Sequence, residues 1–528
     1  MLSIVIFLPL AAAASLALPG IGRAPARVAT WIWIAATAAD LVLVVVMWAG
    51  YRGGIAYETR LRWMPSVGAG YHVGVDGLSL PLIAMTALLF LLCAVYSLRE
   101  TRRPRAYAAL FLFLQTVCLG LFAALDLLLF FVFFDLSIVG MYFVIVGWGH
   151  GDRARSGLKF FLYTFLGSLA LLLGFIGLYL AAEPHTFDLA DLAASPPPAG
   201  ALVLLAVGIG LAVKTPVVPV HTWLPPAHTD APAAGSAILA GVLLKMGTYG
   251  FARIAMPLLP GPWQAYAWPI IVVGVVSVLY GALVALAQTN LKRLVAYTSV
   301  NHMGYIVLAL GAAGLAGGHA QAKELAVSGA VTQMVSHGLV TGALFLITGV
   351  LWDRAGSYEI GKYGGIAGRA PVLTGLMAVA VFASLGLPGL SGFIAEFQIF
   401  TGVIGAGAVV AGALSVVGIL ITAALLLRVL QHAFLGRPAG PGPPEPAGPD
   451  PAGPGRREPV DHGPRAPGDR VAGLRPHGLT GLVTDARPHE LAAIAPLLVL
   501  SLVIGIAPRW LLDLIEPAAQ AVVTLVGR

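Results

Sequence analysis

Residues 211–250 have the sequence LAVKTPVVPVHTWLPPAHTDAPAAGSAILAGVLLKMGTYG, and this stretch decides how the rest of the chain is interpreted. Lys214 and Lys245 each lie in an apolar run long enough to be inside a membrane, and prolines together with His221 and His228 separate them. A lysine inside a bilayer is costly. Unlike arginine, however, a buried lysine is able to release its proton. The stretch therefore predicts two intramembrane groups that gain and lose protons.

The composition indicates a membrane protein that crosses the bilayer many times. The chain is 58% hydrophobic and 10% charged, whereas soluble domains carry about 25% charged residues. Its net charge of +7 lies mainly between apolar runs, which excludes a basic nucleic-acid-binding face. Cys93 and Cys118 lie in apolar runs and form no CxxC or zinc pattern, and no P-loop or dinucleotide motif is present. We therefore expect no cofactor and no metal in this chain.

Apolar runs long enough to span a bilayer, about 20 residues each, recur along the whole sequence. We place about 14 transmembrane helices, near 2–19, 28–50, 79–98, 106–125, 127–149, 157–182, 200–222, 232–256, 263–287, 294–315, 325–351, 370–402, 405–435 and 491–522. Most lysines and arginines fall in loops after odd-numbered spans. This asymmetry predicts that those loops are cytoplasmic and that both termini lie outside.

The helix pattern divides the chain into five predicted units. These are helices 1–3 with an external hairpin at 1–105, a first repeat at 106–256, a second repeat at 263–435, a Pro/Gly-rich cytoplasmic loop at 438–488, and C-terminal helix 14 at 489–528. The hairpin itself is predicted at 51–78, where short apolar runs alternate with glycine and charge. The Pro/Gly-rich loop lacks the apolar residues needed for a core, and we expect it to be disordered.

Prolines interrupt the apolar run just after Lys214, and a second apolar run is interrupted in a similar way. In LGLPGLSGFIAEFQIF, residues 385–400, glycines and a proline interrupt an apolar run that then resumes and carries Glu396. Interrupted helices at corresponding places in two halves of a chain are typical of inverted-repeat transporters. We therefore predict two inverted five-helix repeats, spans 4–8 and 9–13, with broken helices 7 and 12.

Three further ionisable residues, Asp135, His302 and His337, lie in apolar runs. Intramembrane carboxylates usually mark transport pathways, so Asp135 is either an ion-pair partner or proton carrier, or a neutral hydrogen-bonded acid. His337 is either a proton relay or a satisfied structural group, and His302 is either a relay or a helix cap. Asp40 has no supporting motif, and we interpret it as structural.

Several segments resemble one family. They are 71–89 (YHVGVDGLSLPLIAMTALL), 130–149 (FFVFFDLSIVGMYFVIVGWG), 212–253 (AVKTPVVPVHTWLPPAHTDAPAAGSAILAGVLLKMGTYGFAR), 290–310 (NLKRLVAYTSVNHMGYIVLAL) and 385–400. Together they look like the antiporter-like membrane subunits of respiratory complex I and the related Mrp-type cation/proton antiporters. The likeness covers nearly the whole chain except 438–488. Within the family the chain resembles the chain M type of NADH-quinone oxidoreductase, because that type has Glu where Glu396 stands and its relatives have Lys.

The resemblance implies a proton path. Its members would be Asp135, Lys214, Lys245, His302, His337 and Glu396. Asp135 stands where the family has Glu, so the resemblance leaves open whether it pairs with Lys214 directly or through water. Pro226 and Asp230 also depart from the family pattern, which has Asp and Glu at these positions.

The function implied by the resemblance is that of a proton-translocating membrane subunit of NADH-quinone oxidoreductase. NADH, FMN, iron–sulfur clusters and quinone would be bound by partner subunits, and chain L and chain N types would be its membrane neighbours. The expected location is the bacterial inner membrane. Two alternatives remain open: an Mrp-type cation/proton antiporter subunit, and the pump subunit of a related membrane hydrogenase.

Overall fold

Helices make up most of the computed structural model, in which residues 1–18, 26–436 and 478–527 are described. Within these ranges, eleven helices are long and apolar enough to cross a membrane, and four shorter apolar helices accompany them. The predicted all-α membrane fold is confirmed. The count of 14 spans and the division into repeats stay predictions.

The elements follow one another along the chain with short connections. In order they are α1 (Leu2–Ser15), α2 (Ala26–Gly50), β1 (Ala56–Met64), β2 (Ala69–Val75), α3 (Ser79–Tyr96), α4 (Pro104–Ala123), α5 (Leu127–Trp148), α6 (Arg153–Ala181), α7 (Leu189–Ala194), α8 (Ala201–Lys214), α9 (Leu224–Asp230), α10 (Ala233–Leu258), α11 (Pro260–Ala265), α12 (Ala267–Leu286), α13 (Leu291–Ala313), α14 (Ala320–Ala355), α15 (Pro371–Ser384), α16 (Ser391–Gly405), α17 (Val409–Leu435), α18 (Pro488–Ile506) and α19 (Arg509–Val526). Two π-helical turns, Leu239–Leu243 and Phe251–Ala255, interrupt α10.

The predicted hairpin is present as the antiparallel pair β1 and β2. It is fastened to the bundle through Asp126, whose Oδ2 accepts a hydrogen bond from the Gly70 amide at 3.0 Å. The other oxygen of Asp126 accepts from the amides of Leu128 and Leu129 and so caps the N-terminus of α5. We call this end of the bundle the hairpin face. The opposite end, which carries Arg102, is the arginine-rich face.

Two short backbone bridges occupy corresponding positions in the two halves of the chain. Asp126, just before α5, forms an antiparallel bridge with Asp188 in the connection after α6. Asn290, just before α13, forms the same kind of bridge with Glu359 in the connection after α14. The first bridge lies at the hairpin face and the second at the arginine-rich face. A matched feature at opposite ends of the bundle is what inverted repeats produce.

Both predicted helix breaks are present. The first follows Lys214, where α8 ends, and the chain becomes helical again only at Leu224. The second lies between Ser384, at the end of α15, and Ser391, at the start of α16. Each break frees backbone groups that need polar partners inside the membrane. Glycines let the neighbouring helices approach the broken ones, because a Cβ on Gly174 would lie 2.8 Å from the Val207 amide nitrogen.

The C-terminal region differs from the prediction in two ways. The expected single helix at 491–522 is two helices, because α18 ends at Ile506 and Pro508 precedes α19. The buried residues of α19 recur along one side, so it lies against the hairpin face as an amphipathic helix. Residues 437–477 of the predicted Pro/Gly-rich loop lie outside the described residues, but 478–487 are folded against the bundle, where Asp485 accepts the amides of Val372 and Leu373.

Candidate proton-transfer site

The first break places Lys214 at the buried end of α8. Its side chain is fully enclosed, and Nζ donates a hydrogen bond to Ser137 Oγ at 2.8 Å. The same ammonium group lies 4.8 Å from the centre of the Phe134 ring, which offers a weak cation–π contact. Because Ser137 and Phe134 are both on α5, these contacts fix the end of the broken helix against α5.

Asp135 lies beside this lysine without reaching it. The ion pairs of the described residues, at 4.0 Å or less, do not include Asp135 with Lys214. One carboxyl oxygen, Oδ1, is buried and has no hydrogen-bond partner. The side chain is one methylene shorter than glutamate, and the hydroxyl of Ser137 takes the place next to the ammonium group. In this structure the pair therefore does not close directly, and the role of Asp135 stays a prediction.

Lys245 forms the central contact of the site. Its Nζ donates to the Ala240 carbonyl oxygen at 2.6 Å and lies 2.6 Å from Nδ1 of His337. Ala240 belongs to a π-helical turn, a local widening of the helix that is frequent at functional sites. Both partners are buried. At this distance an ammonium group donates a hydrogen bond to Nδ1 of a neutral imidazole, so the geometry suits direct proton transfer between Lys245 and His337.

Beyond Lys245 and His337, the next buried ionisable side chain is His302 on α13. We call the buried ionisable residues of the site the proton file. The two imidazole rings stand nearly perpendicular, with centres 5.2 Å apart. His337 Nε2, His302 Nδ1 and Gln333 Oε1 are buried and have no partner within the described residues. They line a cavity of about 10 Å³, which is room for about one water molecule. A water at this place would satisfy otherwise unpaired groups and join the two histidines to what lies beyond.

Glu396 closes the far wall of the same cavity. It is on α16, just beyond the second break, and its side chain is buried. Its carboxyl group lies over Gly386, and a Cβ on that residue would overlap Oε2. Gly386 also has φ +68°, a left-handed conformation that favours glycine. The break in the helix therefore makes the space that the carboxyl group occupies.

The predicted residues form two groups rather than one continuous chain. Within the described residues no hydrogen bond joins Lys214 to Lys245. Thr215 lies between them: its Oγ1 is buried without a partner and packs against Gly247, two residues after Lys245. Lys245, His337, His302 and Glu396 are in one group, and Asp135 and Lys214 are in the other.

Two buried basic side chains near the site were not predicted from the sequence to belong to the proton path. Lys292 comes two residues after Asn290, which caps α13. From the sequence it is one of the charges between predicted spans, yet in the structure it is fully buried. Its Nζ donates to the Ala231 carbonyl oxygen and lies 3.5 Å from the Tyr358 hydroxyl. No signal in the sequence separates this lysine from the exposed Arg293 beside it.

His228 is the other missed group. It is fully buried and stacks on Phe345 at 4.5 Å, and neither of its ring nitrogens has a partner within the described residues. It is close enough to interact electrostatically with both Lys292 and Lys245. No group of three or more His, Cys, Asp or Glu side chains suited to a metal occurs among the described residues.

A buried file of lysines, histidines and a carboxylate, broken helices and many apolar spans define a membrane transport protein that handles protons. Residues 124–422 match the family described as NADH:quinone oxidoreductase/Mrp antiporter, transmembrane, and the chain belongs to that family. NADH-quinone oxidoreductase subunit M of Rickettsia prowazekii is 40% identical over 385 residues, which cover 72% of this chain and 76% of the relative.

Longer matches agree with this assignment. NADH-quinone oxidoreductase subunit M of Rhodobacter capsulatus is 34% identical over 99% of this chain and 96% of its own length. A chain of respiratory complex I from Thermus thermophilus, solved with bound NADH, has a TM-score of 0.83 and 29% identity, with 100% of both chains covered. The family resemblance found in the sequence is confirmed.

Proposed function

We propose that this chain is a membrane subunit of a complex I-type NADH-quinone oxidoreductase and that it moves protons along its proton file. The observation that carries the proposal is the 2.6 Å contact between Lys245 Nζ and His337 Nδ1. A charged group in the membrane interior is costly, and this pair shares one proton between two groups that both exchange it. The matched bridges and breaks of the two halves support two half-pathways, one with Lys214 and the other with this pair and Glu396.

The file works by electrostatic coupling between its members. When Glu396 is ionised, it favours a proton on His302 and His337, and its neutralisation removes that attraction. In the other half, Ser137 stabilises the ammonium form of Lys214, and Asp135 adds its charge from a greater distance. A membrane potential of about 150–200 mV opposes each proton with about 3.5–4.6 kcal/mol. A change of roughly three pKa units in a carrier is equivalent to this energy.

A vestibule at the arginine-rich face offers a proton route to the centre. It is a cavity of about 330 Å³ lined by Asp353 and Tyr358 among other residues. Tyr358 lies 3.5 Å from Lys292 Nζ, and His228 is close enough to interact electrostatically with both Lys292 and Lys245. We infer that protons reach Lys245 by this route from the cytoplasm, to which the positive-inside rule assigns this face.

The driving reaction belongs to partner chains in this proposal. NADH, FMN, iron–sulfur clusters and quinone would be bound elsewhere in the complex, with chain L and chain N types as membrane neighbours. The bacterial inner membrane with both termini outside is the proposed setting. The names of the relatives and the glutamate at position 396 favour this function over an Mrp-type antiporter or a hydrogenase pump subunit.

The test uses the assembled enzyme in closed vesicles and measures protons moved per NADH oxidised. We expect Glu396→Gln and Lys214→Ala to lower this ratio. Asp40→Asn is a matched control, because Asp40 is also a buried intramembrane carboxylate but pairs with Gln115, outside the file. Unchanged pumping and turnover in both file variants would refute the proposal. Proton movement driven by a sodium gradient without NADH would favour the antiporter alternative.

A further inference from the structure

A groove lies at the arginine-rich face between α4 and α5, away from the proton file. Its volume is about 700 Å³. Three guanidinium groups surround its end at the face: Arg102, Arg103 and Arg153. Its walls are apolar and run toward the membrane interior along Leu110, Phe113 and Phe143. The groove thus combines a cationic end with an apolar track.

In the part of the chain that the structure describes, the three arginines form no ion pair with a carboxylate. Among the described residues, none of them lies within 4.0 Å of an Asp or Glu oxygen. The Oε1 atom of Glu100, two residues before Arg102, accepts a hydrogen bond from the Arg102 backbone amide at 2.7 Å. Burial lowers the pKa of the Arg102 side chain, and the charges of Arg153 and Arg103 lower it further. The charge of Glu100 acts on Arg102 in the opposite direction, and the three guanidinium groups together keep an excess of positive charge.

Two of the guanidinium groups are already held in place by the protein. Arg103 Nη2 donates to the Gly147 carbonyl oxygen at 3.0 Å, and its Cζ lies 4.8 Å from the centre of the Trp148 ring. Arg153 Nη1 donates to the Gly149 carbonyl oxygen at 3.1 Å. Both acceptors are at the C-terminal end of α5, where the helix dipole favours cations. Each arginine keeps further N–H donors for a ligand, since a guanidinium has five.

The apolar track faces outward from the bundle. Phe143 is 52% exposed, and Leu110 and Phe113 are half-buried. A free phosphate ion would neutralise the arginines but would leave this track uncovered. A phospholipid has both an anionic phosphate for the arginines and acyl chains for the apolar track. Basic pockets between transmembrane helices at the cytoplasmic side suit anionic headgroups.

We propose that this groove binds one anionic phospholipid from the leaflet at the arginine-rich face. Its phosphate lies among Arg102, Arg103 and Arg153, and an acyl chain follows Leu110 and Phe143. The bound lipid would hold the loop before α4 against the end of α5, the helix that also carries Asp135 and Ser137.

The experiment compares two variants of the assembled enzyme with matched loss of charge. The groove variant combines Arg102→Gln, Arg103→Gln and Arg153→Gln. The control variant combines Arg155→Gln, Arg293→Gln and Lys362→Gln, which are exposed cations of the same face outside the groove. After removal of native lipid, native mass spectrometry measures the retention of phosphatidylglycerol and of phosphatidylcholine with the same acyl chains. A parallel series adds inorganic phosphate as a competitor.

We expect the control variant to retain one tightly bound phosphatidylglycerol that the groove variant lacks. Each arginine near an anionic headgroup contributes about fivefold in affinity, so the three together contribute about 100-fold. Phosphatidylcholine should be retained weakly by both variants, and inorganic phosphate at lipid concentrations should not displace phosphatidylglycerol.

Equal retention by the two variants, or equal retention of the two lipids, would overturn the proposal. Displacement by equimolar phosphate would show a free-anion site instead, and cross-links from the groove to an acidic segment of a neighbouring subunit would show a protein contact instead. If the groove variant does not assemble, a variant that combines Arg102→Lys, Arg103→Lys and Arg153→Lys replaces it in the lipid-retention measurement. It should keep the preference for phosphatidylglycerol, and loss of that preference would refute the site.

Discussion

Ser137→Ala is the substitution that tests the first half of the proton file most directly. In the structure the Ser137 hydroxyl is the hydrogen-bond acceptor for the Lys214 ammonium group, at 2.8 Å, and Asp135 does not form an ion pair with it. A hydrogen bond to a charged group contributes about 1.5–3 kcal/mol. Its loss therefore disfavours the protonated lysine by about 10- to 150-fold in equilibrium terms.

The assay is proton translocation per NADH in closed vesicles, with NADH oxidation measured in parallel. We expect Ser137→Ala to slow pumping by up to this factor while the enzyme still assembles. Ser415→Ala is the matched control. Ser415 is as buried as Ser137, and the hydroxyl of each donates to a backbone carbonyl oxygen of its own helix, but among the described residues the Ser415 hydroxyl accepts no hydrogen bond from a lysine. Ser415→Ala should leave pumping unchanged.

A second substitution separates this mechanism from a general packing defect. Asp135→Glu in the Ser137→Ala background lengthens the carboxylate by one methylene, which allows it to approach Lys214 directly. We expect the double variant to recover a large part of the lost pumping. If Ser137→Ala and Ser415→Ala behave alike, or if the longer carboxylate restores nothing, then the hydroxyl does not control the charge of Lys214.

Two other predictions concern the second break and the hairpin. Gly386→Ala should lower pumping at least tenfold. The left-handed backbone costs an alanine about 1–2 kcal/mol, and the added Cβ displaces the Glu396 carboxyl group. Normal pumping with unchanged assembly would contradict this geometry. Burial lowers the pKa of His72, but hydrogen bonds and charges from Asp188 and Glu58 raise it more, so the net direction is upward. The resulting stabilisation is complete below about pH 6.5 and is lost as the pH rises through the raised value. Intrinsic amide exchange is base-catalysed and rises with pH in any protein, so the quantity to compare is the protection factor, the intrinsic rate divided by the observed rate. The protection factors of the hairpin amides should therefore fall over this range in the natural chain and stay constant with pH in His72→Gln.

The sequence by itself determined the membrane class, both helix breaks and the ionisable residues beside them. These features are local: hydropathy is read over about 20 residues, and prolines and glycines interrupt a helix where they stand. The same local signals predicted Lys214 and Glu396 as buried carriers, and the structure places both in the bundle interior.

Only the tertiary structure decided which groups meet. The partner of Lys214 is Ser137 rather than Asp135, because the Ser137 hydroxyl lies within hydrogen-bond distance of the ammonium group and the short aspartate side chain does not reach it. Lys292 looks like a loop charge until α13 is placed beside Ala231 and Tyr358. Such contacts join residues more than 60 positions apart, and their geometry depends on helix packing that no local pattern contains.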